Sequence, residues 1–179
     1  MKRIDDWTYR IGSVTEKFQT NFGQLEDGQL NQKPSTGAWS VAEIIQHLII
    51  LNSSYFPLIE KLHAGTLQLP WTARIPWITK RFGKMIYKSV LPDTKRKAKT
   101  MAIWEPQRSE IPPGILNRFA DHQEKLAETI RSSENLILDQ AIITSPANRF
   151  IVYPLEMLFD ILVAHEERHL AQAEELRLP

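Results

Sequence analysis

The feature that most restricts this chain is a His-x-x-x-His pair set into an otherwise apolar helical seam. The stretch from Pro154 to Leu176 reads as one uninterrupted helix, in which Leu155, Leu158, Leu162, His165, His169, Gln172 and Leu176 recur at three- and four-residue spacing. A helix of about 3.6 residues per turn puts these on one stripe. Residues four apart stand one turn above each other with Cβ atoms roughly 5–6 Å apart, so both imidazoles can address a common atom. One helix thus offers two metal ligands on its buried side, and Gln172, one turn beyond His169, is placed to orient a ligand ring.

Two histidines seldom complete a site, and the third inward imidazole is His47 in SVAEIIQHLIILNSSYF. Ser40 reads as an N-cap whose capping box Glu43 closes, with Trp39 and Ile44 in the places of a hydrophobic staple. From that start Ile44, His47, Leu48, Leu51, Tyr55, Leu58 and Leu62 share one apolar face. Taken singly, each histidine has a plainer reading as a hydrogen-bonded core residue. Together they are harder to explain that way. Each imidazole buried without a partner costs about 1–3 kcal/mol, and a bound cation removes that burden by using the lone pairs.

Three stretches then carry a resemblance: Gly37-Ala38-Trp39-Ser40-Val41-Ala42-Glu43, His47-Leu48, and His165-Glu166-Glu167-Arg168-His169-Leu170-Ala171-Gln172. In these the chain, from about Ile4 to Leu176, resembles the DinB/YfiT-like superfamily of metalloenzymes. The resemblance implies an all-α four-helix bundle running up-down-down-up, with a long crossover connection between helices two and three. It implies that one histidine of the second helix and the His-x-x-x-His of the fourth bind a divalent metal, at His47, His165 and His169. The implied activity on a small-molecule substrate is hydrolysis or transfer of a low-molecular-weight thiol such as bacillithiol, mycothiol or glutathione.

Composition narrows the remaining classes. With 179 residues, 42% hydrophobic and 24% charged, a single domain over 1–179 is expected. A net charge of +1 gives no whole-molecule pull toward nucleic acid or acidic membranes, and neither is expected as a partner. The absence of Cys excludes disulfides, thiolate metal sites and a Cys nucleophile. MKRIDDWTYR lacks a signal peptide's apolar core and no run reaches the roughly 18 apolar residues of a membrane span, so a cytoplasmic protein is expected. Assembly, as monomer or homodimer, is not specified by any sequence feature.

From the start of the chain, helix one is expected from about Asp5 to Phe22, with Gly23 as its stop and Leu25 and Leu30 tucked against the core beyond it. Helix two runs from Val41 to about Leu62 with a kink at Pro57, and His63 reads as a cation near its C-terminus rather than a ligand. Between Gly65 and Pro113 the prolines are dense, yet the span exceeds the roughly 12–15 residues of an unstructured loop, so Ile75 to Val90 is read as a short helix. Trp71, Trp77 and Trp104 are read as core filling in preference to a lid. Lys80, Arg81, Lys84, Lys88, Lys95, Arg96, Lys97 and Lys99 against the single acid Asp93 are read as a solvated basic face rather than an anion site. Helix three runs from about Pro113 to Ser133. His122 borders its apolar side, but Asp121 and Glu124 place it on a solvated flank rather than in the cavity as a proton shuttle or fourth ligand. Leu136 to Ile143 reads as another short helix.

The chemistry follows from ligand type. Three neutral imidazoles leave a divalent cation, zinc or nickel for such donors, with its charge uncompensated and at least one open position. No Gly-x-Ser-x-Gly elbow, phosphate-cradling loop or second Glu-x-x-His competes with this reading. Glu43 would make a two-His-one-carboxylate site, but its capping box occupies the carboxylate, and Glu166 is expected to face outward. The catalytic groups beyond the metal are not specified. The rival reading is a non-catalytic, stress-associated or ligand-binding bundle with a structural or vestigial metal site.

Overall fold

The structure is a computed structural model and describes residues 2–35, 37–91, 100–107 and 110–176. Helix α1 (Lys2–Phe22) buries Trp7, Ile11, Val14, Phe18 and Phe22, the stripe that its spacing predicts. It stops at Gly23, where a Cβ would stand 2.4 Å from the Gln19 carbonyl oxygen, so no larger residue fits that turn. A short α2 (Asp27–Asn31) follows. In this connection Leu30 is buried, whereas Leu25 stays exposed, contrary to expectation.

Helix α3 (Val41–Ser53) opens on the expected capping box: Glu43 N donates to Ser40 Oγ at 3.2 Å and Ser40 N to Glu43 Oε2 at 2.9 Å. The predicted kinked helix is in fact two. α3 ends at Ser53, and α4 (Phe56–His63) restarts with Pro57 in its first turn, where the missing N–H is not needed.

The bundle consists of α1, α3, α6 (Ile115–Ser132) and α8 (Leu155–Glu175). Trp7 Nε1 bonds Asp160 at 2.9 Å, Arg10 bonds Glu167, and Asn21 bonds Glu174, so α1 and α8 run parallel. Gln19 near the end of α1 meets Leu116 near the start of α6, so these two are antiparallel. Trp39, just before α3, stacks on His169, and Asn52 near its end bonds Glu166, so α3 opposes α8. The order is therefore up-down-down-up, as the family resemblance implies.

Two parallel neighbours, α3 and α6, need a crossover. It includes α5 (Pro76–Val90), which lies against α8 so closely that a Cβ on Gly83 would stand 2.7 Å from Met157 Cγ. Trp104 is half-buried against the core, but Trp71 and Trp77 are 65% and 67% exposed and do not fill it. Lys95, Arg96, Lys97, Lys99 and Asp93 lie outside the described residues; Lys80, Arg81, Lys84 and Lys88 line the exposed side of α5.

The helix expected over Leu136 to Ile143 is also corrected. Helix α7 (Glu134–Leu138) ends early, Gln140 takes a positive φ of 54°, and the chain enters an antiparallel hairpin of β1 (Ile142–Ser145) and β2 (Asn148–Pro154). The β-branched run Ile142-Ile143-Thr144 favours a strand over a helix. Tyr153 on β2 bonds Tyr55 through their hydroxyls at 2.6 Å, tying the hairpin to the bundle. No helix of the described residues is long and apolar enough to cross a membrane.

Candidate metal centre

Helix α3 carries His47 inward from the Ser40 cap, and α8 presents His165 and His169 from successive turns. His47 Nδ1 lies 2.7 Å from the Trp104 carbonyl oxygen. A carbonyl only accepts, so the proton is on Nδ1 and Nε2 is left as a bare lone pair. That Nε2 is 3.4 Å from His165 Nε2, which is in turn 3.0 Å from His169 Nε2. One donor atom from each of the three rings lies within 4.8 Å of the others, the one such group among the described residues. The Trp39 ring closes the cluster on one side, 4.9 Å from His47 and stacked at 6.2 Å on His169.

Burial sets the protonation state of the three. It pushes His47 below the ordinary imidazole value, with the Trp104 carbonyl bond opposing. It drives His165 well below that value, helped by the neighbouring His169, His47 and Arg168. His169 falls to about 3 through burial first, then His47 and Arg168, with the nearby Gln172 side chain acting the other way. All three are therefore neutral near pH 7, the state in which imidazole donates a lone pair. At most one proton fits between His165 and His169 in their 3.0 Å gap. The His165 Nδ1 atom finds no hydrogen-bond partner. Converging neutral nitrogens, short of partners and dry, fit the donor set of a divalent cation.

The family model of the DinB superfamily matches residues 11–173. The chain belongs to the DinB superfamily. Its structure is similar to that of YfiT from Bacillus subtilis, described as a probable metal-dependent hydrolase with an unusual four-helix bundle topology. That likeness has a TM-score of 0.57 at 17% identity, covers 97% of this chain and 85% of YfiT, and shows a shared fold. No curated protein matches this DinB chain in sequence.

Other residues singled out from the sequence fall elsewhere. Glu43 is spent on the α3 cap and on Lys33, whose Nζ is 2.7 Å from its Oε1. His63 ends α4 in solvent, as expected. His122 is not on a solvated flank: it is buried beside Phe56, with Nδ1 3.4 Å from Ser53 Oγ, and burial followed by the charge of Lys125 lowers it to about 4. It does not join the three-histidine group.

Glu166 overturns its expectation most fully. It is fully buried, accepting from Asn52 Nδ2 of α3 at 2.7 Å and from Gln123 Nε2 of α6 at 2.7 Å. Burial raises its carboxyl to about 7, against the pull of those two amides. Asn52 and Gln123 carried no sequence signal of their own beyond lying on helix faces next to apolar residues.

Proposed function

We propose that this DinB protein is a single-metal enzyme acting on a small molecule, with hydrolysis as its reaction. The observation that carries this is the meeting of three neutral Nε2 atoms from two distant stretches of chain. His47, His165 and His169 would hold the cation, and Gln172 would help to orient the His169 ring. A divalent ion so held supplies Lewis acidity toward a water, a thiol or a carbonyl oxygen. The chain's own part is to keep the donors neutral and dry, to fix the His47 tautomer through the Trp104 carbonyl, and to leave part of the ion uncovered. An open depression of about 520 Å³ is lined by Lys33, Trp39, Glu43, Thr100 and Glu105; Trp39 is its link to the centre, since none of the three histidines lines it. Thiol transfer would use the same ion with a low-molecular-weight thiol as cosubstrate, since the chain has no Cys of its own to supply the sulfur.

The test is turnover of an activated aryl ester by zinc- or nickel-loaded protein, run with and without added glutathione and repeated with His165→Ala. Metal-dependent hydrolysis that His165→Ala abolishes while the fold survives is the expected result. Turnover only with the thiol would convert the reading to transferase. No turnover with either, together with a large loss of thermal stability on chelation, would make the metal structural.

A further inference from the structure

We propose that the Asn52–Glu166–Gln123 bracket is the positioning device of the metal centre: it sets the roll of α8 about its own axis and thereby aims His165 and His169 at His47. This rests on the metal-centre reading above. The need for such a device follows from how α8 is packed. Ile161, Leu162, Val163, Ala164, His165 and Glu166 are all buried, six consecutive residues that pass more than once around the helix. A helix covered on nearly every side has no single apolar stripe, so its hydrophobic pattern alone does not specify one roll angle.

The required accuracy is high. Side-chain tips stand roughly 5–6 Å from a helix axis, so a roll of about 20° swings them by about 2 Å. That displacement equals a whole nitrogen–metal bond of about 2.0–2.1 Å. On the α1 side, Arg3 and Arg10 hold Glu156, Asp160 and Glu167 in partly exposed pairs, and buried Trp7 donates to Asp160 at 2.9 Å, all from one flank of α8. Glu166 is different in kind. Its two oxygens are taken by two helices from different directions, α3 and α6, each at 2.7 Å, and it immediately follows His165. Fixing the register of apolar helices is the best-attested use of a buried polar contact.

The amides also leave a distinctive test. Asn52 Oδ1 and Gln123 Oε1 are buried without partners. In Glu166→Gln, turning one of these amides over presents its free oxygen to the new NH2 group, so the bracket can re-form. In the combined variant Asn52→Leu, Gln123→Met, Glu166→Met the bracket is gone, yet the volume is kept and no polar group is orphaned.

The measurements are zinc affinity by competition with a chelator, thermal melts of the metal-free proteins, and imidazole ¹⁵N spectra of the metal-free proteins. Glu166→Gln should keep zinc affinity within about threefold. The combined variant should lose about 10–100-fold, the effect of removing a partner that orients ligands, while melting no lower than wild type. A merely structural bracket would instead move the melt and leave the affinity alone. Wild-type affinity in the combined variant overturns the proposal, as does a loss in Glu166→Gln equal to that of the combined variant. If the combined variant does not fold, Gln123→Leu, which cuts only the α6 arm, is measured for the same split. If wild type binds no zinc, the function proposed above fails, and the spectra still judge the bracket. Shifted His165 and His169 signals in the combined variant support it; unshifted signals overturn it.

Discussion

Two polar clusters sit side by side on α8 and are finished to different degrees. Around Glu166 every carboxylate oxygen has a donor at 2.7 Å, supplied by amides from two other helices. Around His165 the Nε2 nitrogens meet only one another, at 3.4 and 3.0 Å. A buried polar group normally finds its complement within the protein. The carboxylate has done so, and the imidazoles have not. The contrast teaches that the carboxylate is satisfied within the protein, with only the outer oxygens of its two amides left over, whereas the three imidazole Nε2 atoms face one another as the donor set of a cation would.

Breaking the unfinished cluster should therefore affect binding far more than stability. His165→Ala is expected to reduce zinc affinity by more than the roughly 10–100-fold that loss of an outer partner costs, with a smaller loss of stability in the metal-free protein than Glu166→Ala. Chelator competition and thermal melts check the two halves. Breaking the finished cluster should do the reverse to the fold. Glu166→Ala leaves two buried amides unpaired and a cavity, and is expected to cost about 2–4 kcal/mol in denaturant unfolding. Equal losses of stability in the two variants would erase the distinction.

Acid titration sharpens the same contrast, because the clusters carry opposite signs. His47, His165, His169 and His122 have folded values below the ordinary 6.5. Below about 6.5 the unfolded chain takes up protons that the folded one refuses, so their contribution is present above that pH and lost as pH falls toward about 4. Glu166, raised from 4.5 to about 7, contributes stability that is present below 4.5 and lost as pH rises through 7. Four imidazoles outweigh one carboxyl. The metal-free protein is therefore expected to melt at progressively lower temperature between pH 6.5 and 4, with a shallower slope in His122→Gln. A melting temperature that rises over that range would contradict the assignment. The smallest effect is expected outside both clusters: Trp71→Ser and Trp77→Ser, at exposed positions, should each change stability by less than about 0.5 kcal/mol.

The sequence made the unfinished cluster legible and hid the finished one. Spacing alone aimed His165 and His169 inward, and the Ser40–Glu43 capping box fixed where α3 begins and hence where His47 points. Glu166 was hidden because periodicity reports one buried stripe per helix. α8 exceeds one stripe: α5 from the crossover covers a side that a bare bundle would leave wet, and α3 and α6 reach Glu166 from another. His122 was misplaced for a related reason, its acidic neighbours pointing outward while it packs beside Phe56. The hairpin was missed because apolar residues from Leu136 onward fit a helix as well as a strand until the β-branched run at Ile142 is weighed.

The most direct measurement is anomalous diffraction from crystals grown with zinc. A single strong peak about 2.0–2.1 Å from the Nε2 atoms of His47, His165 and His169, with a further ligand that is not from the protein, is the expected result. Zinc bound elsewhere, or three imidazoles that stay together with no ion between them at saturating zinc, would contradict it.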